Sequence, residues 1–370
     1  MSRRLSAYVT ESIKIIRAHQ HPAGAIIACS TYPAYRYVWL RDGTFAVYAL
    51  DRMGEHGPAR RFYEWCSYVL LKHQGKAQRV MEQVRSGKTA IDQDQFLHTR
   101  YTIDGDEGRE EWGNFQLDGY GVLLWGIAEH LRMSGGTALS GATQSAVELI
   151  VDYLLTCWRL PCFDCWEELG DRFHPATLAA VYGGLAAIVA YLPQKRKKVA
   201  EACEAIRQYV LQDGVRGGKF VKSIGHPGVD ASLLWLSVPF RLVEPEDGRM
   251  TRTVRQMEQE LVRGQGVHRY PQDLYYGGGQ WLLLSAWLGW FYLQVGERPK
   301  AVEILDWMET KWSERGLPEQ VQDVMINPDM YDRWTAHAGP PACPLVWSHA
   351  MYLVLMTEVE KKKPTFRPAT

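Results

Sequence analysis

The sequence predicts an all-α chain of about twelve helices, paired as hairpins that can close into a six-hairpin toroid. Three observations lead there. Apolar residues recur at the helical period of about 3.6 along most of the 370 residues. Connections alternate between short ones, such as Gly54 to Gly57 and Gly296 to Pro299, and long ones rich in Gly, Asp, Pro and Trp. No low-complexity tract, long linker or shift in composition marks a second domain, so 1–370 is expected to fold as one unit.

The predicted helices follow in order. The segment 5–20 comes first, and 43–54 runs to a Gly54 stop. In 58–74, Pro58 sits in the opening turn, where a missing N–H costs nothing, ahead of Phe62, Trp65 and Val69. The segments 114–134 and 140–159 are separated by Gly135. Next come 174–192, 195–212 and 229–240. The segment 249–263 follows, and 279–296 runs to Gly296. Finally, 299–313 and 344–360 complete the set. In such a ring the long loops gather at one end, and every unusual motif falls in one of them: 30–43, 105–118, 161–173, 264–280 and 314–343.

Composition narrows the function. Lys plus Arg equals Asp plus Glu at 42 each, so no net field recruits nucleic acid or an anionic membrane. A neutral polar substrate fits this balance, and the 14 Trp and 19 Tyr supply flat faces on which sugars stack. The N-terminal stretch has no continuous apolar core of a secretory signal, and no run is long enough to span a bilayer. Seven irregularly spaced cysteines fit reduced thiols in the cytoplasm. Cys162 and Cys165 have CxxC spacing without a second pair, so neither a metal nor a cofactor is expected. The basic tail at Lys361, Lys362 and Lys363 reads as a frayed end.

The chemistry concentrates in a few strings. Trp166 precedes Glu167 and Glu168 after an apolar approach, an environment that raises a carboxyl's pKa and keeps it protonated. About 150 residues on, Glu319 follows Pro318 in a turn. One protonated and one ionised carboxyl are what inverting glycoside hydrolysis needs, so Glu167 is the candidate acid and Glu319 the candidate base. Glu168 is a candidate ligand of the leaving sugar's hydroxyls. Tyr35, Trp39, Arg41 and Asp42 can stack on and hydrogen-bond one sugar ring. Trp112, before Gly113, is hard to explain as core, whereas Asp118 reads as a helix N-cap. Arg269 and Tyr270 open a segment ending in Gly277, Gly278 and Gly279, where the glycines let backbone approach the pocket closely and Arg269 reaches a sugar hydroxyl.

Taken in order, YVWLRD at 37–42, CWEE at 165–168, RYPQDLYYGGGQW at 269–281, LPEQ at 317–320 and PLVWSHA at 344–350 resemble the glucoamylase family of glycoside hydrolases, family 15. The resemblance runs from about residue 30 to 356. It implies an (α/α)6 barrel that acts from the non-reducing end and inverts the anomeric centre, releasing β-glucose. By that resemblance Glu167 is the general acid and Glu319 the general base. Arg41 and Asp42 clamp the terminal glucose, and Tyr35 stands beside the attacking water. Trp112, Trp166, Glu168, Arg269 and Trp347 make the remaining contacts. The first predicted helix begins near Met1, and neither a β-sandwich nor a starch-binding module is legible. The expected substrate is therefore a small soluble α-glucoside, with α,α-trehalose as the alternative within the same family.

Other chemistries occur on helical toroids. A phosphorylase needs the acid but no carboxylate base, and epimerisation calls on histidines. His174, His268, His337 and His349 read instead as loop or core hydrogen-bonders. A non-catalytic sugar-binding barrel would be expected to lack one of the two glutamates.

Overall fold

The computed structural model describes residues 6–88 and 90–361. Leu5, at the expected start of the first helix, and Lys362 and Lys363 of the basic tail lie outside them. The helices are α1 (Ala7–Ala18), α2 (Leu40–Arg52), α3 (His56–Lys72), α4 (Gln74–Arg85), α5 (Asp118–Ser134), α6 (Gly141–Cys157) and α7 (Pro175–Ile188). They continue as α8 (Arg196–Asp213), α9 (Gly248–Glu260), α10 (Leu282–Gln294), α11 (Arg298–Thr310), α12 (Pro328–Ala338) and α13 (Val346–Glu360).

Packing closes an inner ring. Helix α2 packs on α5, α5 on α7, α7 on a short 3-10 helix at Ala231–Leu236, that segment on α10, α10 on α13, and α13 back on α2. Each inner element has an outer cover: α3 on α2, α6 on α5, α8 on α7, α9 on the 3-10 segment, α11 on α10 and α1 on α13. This is the (α/α)6 barrel.

The two rings differ in sequence for a physical reason. Inner helices are walled on all sides, so α10 buries every residue from Leu282 to Leu293. Outer helix α8 buries only Val199, Cys203, Ile206 and Val210, the stripe that faces the ring. The α5–α7 crossing is the tightest, because a Cβ on Gly121 would sit 2.4 Å from the Ala180 carbonyl oxygen, and one on Gly184 2.2 Å from that of Gly121. Helix ends at Gly54, Gly135 and Gly296 take positive φ as expected.

Three expectations need correction. The predicted helix 229–240 is only the six-residue 3-10 segment Ala231–Leu236, capped by Asp230. Pro239 removes a backbone donor and restricts the residue before it, so the periodic pattern cannot propagate as α-helix. Residues beyond 74 continue as α4, whose buried face is Ala77, Val80 and Met81, extended by the part-buried Val84 to a full i, i+3, i+4, i+7 stripe. The long loop 314–343 contains α12, which opens with Pro328 and lays the part-buried stripe Tyr331, Trp334 and Ala338 against the core. Elsewhere the shifts are of a few residues at helix ends.

No helix among the described residues is long and apolar enough to cross a membrane. The inner helices α2, α5, α7, α10 and α13 all start at the same end of the barrel, and the long loops meet there. A four-stranded antiparallel sheet of two-residue strands, Val262–Arg263, Gly266–Val267, Gln280–Trp281 and Gln320–Val321, ties two of those loops together. Its register pairs Trp281 with Gln320, next to Glu319.

Candidate active site

A cavity of about 740 Å³ opens where the inner helices begin. Tyr35, Trp39, Arg41, Asp42, Trp112, Trp166, Glu167, Glu168, Arg269, Tyr270, Glu319 and Trp347 all line it, so the candidate catalytic and sugar-contact side chains converge on one place. The two glutamates, 152 positions apart along the chain (319 minus 167), share that wall.

Glu167 owes its position to Asp164. The Asp164 carboxylate accepts the backbone N–H groups of Trp166 and Glu168, each at 3.0 Å, folding the segment into a tight Asx turn. The turn holds Glu167 at φ +69°, a left-handed conformation that a non-glycine residue adopts only when its surroundings impose it. Burial raises the Glu167 pKa, while Arg41 and donors from Trp39 and Gln116 pull it down. The Trp39 indole N–H donates to Oε1 at 2.6 Å, and Gln116 Nε2 donates to the same oxygen at 3.2 Å. The sequence points to Trp166 as the indole that desolvates this acid. Instead Trp166 donates its N–H to both oxygens of Asp230 at 3.0 Å and its ring lies against those of Trp281 and Trp287.

Glu319 is 2% exposed. Its backbone N–H donates to the Ala342 carbonyl, and its turn is pinned from below by His349, whose Nε2 accepts the Leu317 N–H at 2.9 Å. Burial pushes the His349 pKa down to about 3, so the ring stays neutral and can accept there, while Nδ1 donates to Ser12 at 3.0 Å. On the carboxyl itself, Oε1 accepts the Tyr35 hydroxyl at 2.9 Å, and Tyr35 lies 3.0 Å from the Tyr275 hydroxyl. Oε2 is buried with no hydrogen-bond partner among the described residues. Burial pushes the Glu319 pKa up to about 7, against the lowering effects of Tyr35, Arg269 and Tyr275.

That shift has a consequence for stability. Glu319 holds its proton more tightly folded than unfolded, so stability is lost as pH rises from the unfolded pKa near 4.3 through the folded value of about 7. The full cost of ionisation above that range is on the order of 3 kcal/mol. The difference in Tm between Glu319→Gln and the parent should therefore grow by a few degrees in the variant's favour from pH 5 to pH 8. Thermal melts at the two pH values check this, and a pH-independent difference contradicts it.

Beside the glutamates stands a buried ionic core. Arg41 Nη1 donates to Gln116 Oε1 and Asp118 Oδ2, both at 3.0 Å, and its Nε lies 3.3 Å from Asp42 Oδ2. Burial disfavours the Arg41 cation, but Asp118 and Asp42 outweigh it and the net shift is upward. Burial also raises Asp42 to about 7, with Arg41 opposing. Asp118 is not the N-cap read from the sequence: Leu117 takes that position, no side chain caps the helix, and the Asp118 carboxylate serves Arg41. The guanidinium lies 5.2 Å from the Trp347 ring centroid.

Across the mouth, Glu168 accepts the Tyr270 hydroxyl at 2.7 Å and Lys222 Nζ at 3.3 Å. Lys222 also sits 3.1 Å from the fully buried Asp230 and 3.7 Å from Asp164. Arg269 is held in a two-pronged pair by Asp273 at 2.8 and 2.5 Å and reaches within 3.7 Å of Glu168. The three glycines do not touch the cavity. A Cβ on Gly279 would meet Gln320 Oε1 at 2.5 Å, and one on Gly278 the Asp273 carbonyl oxygen at 2.5 Å, so they let the chain pass close to its own neighbours.

Trp112 lines the cavity with its ring 3.9 Å from the Arg100 guanidinium carbon, which also lies 4.3 Å from the Tyr37 ring. Of the histidines, His174 and His268 bond backbone carbonyls, and His349 is core. His337, by contrast, lines the cavity from α12 together with Trp334. Gln116, Lys222, Asp230, Tyr275, Trp281 and Trp334 belong to or support the site without being evident as site residues in the sequence. Tyr275 and Trp281 stand inside the quoted strings, but Lys222 and Asp230 have no local signal at all.

A family model described as glycosyl hydrolases family 15 matches residues 2–311. The isomaltose glucohydrolase of Kribbella flavida is 37% identical over 372 aligned positions, covering 99% of this chain and 96% of that protein, and so extends past Glu319. A solved wild-type glycosidase, also 37% identical, superposes with a TM-score of 0.92 over 96% of this chain and 97% of that one. A bacterial glucoamylase complexed with acarbose, 18% identical, has a TM-score of 0.75 over 96% of this chain and 56% of its own, a likeness of fold. With the barrel closed and these matches spanning it, the chain belongs to glycoside hydrolase family 15.

Proposed function

We propose that this glycoside hydrolase releases β-glucose from the non-reducing end of small α-glucosides by inversion, with isomaltose-type disaccharides as the first substrates to test. The observation that carries this reading is the pair of glutamates on one cavity, each with one oxygen already engaged. On Glu167 both donors go to Oε1, so Oε2 is the oxygen free to carry a proton to the leaving glycosidic oxygen. As that proton leaves, Trp39 and Gln116 are already in place to receive the negative charge, which costs no reorganisation. On Glu319 the Tyr35 hydroxyl occupies Oε1, and Oε2 takes the proton from the attacking water. Tyr35 thereby fixes the carboxylate's orientation beside that water.

Arg41 and Asp42 bind the hydroxyls of the terminal glucose, and the Trp347, Trp166 and Trp112 rings shape its pocket. Glu168, steadied by Lys222 and Tyr270, and Arg269 serve the leaving sugar. The likeness to an isomaltose glucohydrolase over the full chain supports the substrate class.

Only the form with Glu167 protonated and Glu319 ionised reacts. Burial raises both groups, Glu319 to about 7, so the two titrate as a pair and the limbs belong to the pair. The kcat/KM profile should be a bell with its upper limb near pH 7 and its lower limb above the ordinary glutamate value of about 4.3. The deciding experiment follows the anomer released from isomaltose, maltose, trehalose and maltotetraose by NMR. Initial β-glucose from the non-reducing end of isomaltose, maltose or maltotetraose, or equal β- and α-glucose from trehalose, supports inversion; α-glucose alone from trehalose, α-glucose from the non-reducing end of the others, or no release from any of the four, sinks the reading.

A further inference from the structure

At the far end of the barrel from the cavity lies a cluster of different chemistry. Helix α2 carries Asp42 in its first turn and Asp51 in its last, nine positions or roughly 14 Å along the axis. The Asp51 side chain is fully buried. Two imidazoles aim the same ring nitrogen at it: His56 Nδ1 lies 2.8 Å from Oδ1, and His130 Nδ1 lies 3.0 Å from Oδ1 and 2.9 Å from Oδ2. The three come from three helices, the end of α2, the start of α3 and the last turns of α5. Their ligand atoms lie within 4.8 Å of one another.

We propose that Asp51, His56 and His130 bind a divalent transition metal, with zinc the best fit, as a clip joining these three helices. Two imidazole nitrogens and one carboxylate oxygen form a donor set that suits zinc, with a water completing a tetrahedron. Bonds of about 2.0 to 2.2 Å require the nitrogens to move outward from the carboxylate by only a few tenths of an ångström. A metal also answers a charge problem, because the recorded ion partners of buried Asp51 among the described residues are these histidines, with no lysine or arginine. The surroundings are prepared for it. Tyr63, 3% exposed, has its ring 5.4 Å from that of His130, and its hydroxyl lacks a hydrogen-bond partner among the described residues. That hydroxyl can accept from or donate to a metal-bound water. The His56 side chain is 39% exposed and gives an ion its way in, while His130 is 12% exposed and anchors the interior side.

The test uses untagged full-length protein, stripped with a chelator and titrated with Zn²⁺ and Co²⁺. Metal analysis after dialysis should find about one zinc per chain, Co²⁺ should give the intense visible bands of a tetrahedral site, and zinc should raise Tm. The variants His56→Ala and His130→Asn should each weaken zinc binding by more than about 10-fold and abolish the zinc-dependent rise in Tm. Glucose release by His56→Ala should stay at the parental rate, since nothing in the cluster touches the cavity. If His130→Asn fails to fold, the half-exposed His56 variant and the Co²⁺ spectrum still decide. Parental protein that retains no zinc, or zinc retained equally by His56→Ala, overturns the assignment.

Discussion

Replacing Glu167 or Glu319 by glutamine should lower kcat on an unactivated α-glucoside by roughly 10²- to 10⁴-fold with the barrel still folded. Each substitution keeps the shape and removes one proton-transfer function. Glutamine at 319 can still accept the Tyr35 hydroxyl, and glutamine at 167 can still accept from Trp39 through its amide oxygen, so neither strips a buried donor of its partner. The two variants should separate on α-glucosyl fluoride, whose leaving group needs no proton. Glu167→Gln should regain most of its rate there, whereas Glu319→Gln, lacking a base for the water, should not. Steady-state rates on isomaltose and the fluoride check both statements. Equal rescue of both variants, or near-parental rates in either, refutes the assigned roles.

The second large effect concerns Arg41. Its guanidinium is the cation that faces the fully buried Asp118 and the nearly buried Asp42, at 3.0 and 3.3 Å. Arg41→Met leaves these carboxylates in a low-dielectric site without their counter-charge, a loss of about 3–5 kcal/mol by the usual cost of breaking a buried pair. A large fall in Tm should accompany a sharply raised KM. The double variant Arg41→Met with Asp118→Leu removes the stranded charge of Asp118 and should recover part of the stability without recovering affinity, because the sugar-binding cation is still missing. Recovery of affinity along with stability would show that Arg41 acts on fold alone.

These effects rest on residues that were differently visible. Glu167, Glu319, Arg41 and Asp42 could be named from their strings, since each stands where local sequence places a charge beside aromatics or a turn. Lys222 and Asp230 could not. Lys222 sits near a hairpin with ordinary neighbours, and its meaning arises only when the loop after α8 folds beside Asp164 and Glu168. The same holds for Tyr275, whose contact with Tyr35 crosses 240 positions. Helix α12 is a different case: its apolar stripe of Tyr331, Trp334 and Ala338 spans only about two turns between loops, yet it brings Trp334 and His337 to the cavity mouth.

By itself the sequence determined the helical hairpins, their order and the loops that carry the chemistry, because helical period and turn residues act over a few positions. It also singled out Glu167, Glu319, Arg41 and Asp42, which line one cavity. Only the tertiary structure decided that those loops meet on one cavity and that Trp39 rather than Trp166 donates to Glu167. It also decided that Glu319 is raised to about 7. The reason is physical: burial and cross-chain hydrogen bonds set a carboxyl's proton affinity, and both depend on contacts between residues far apart in the chain.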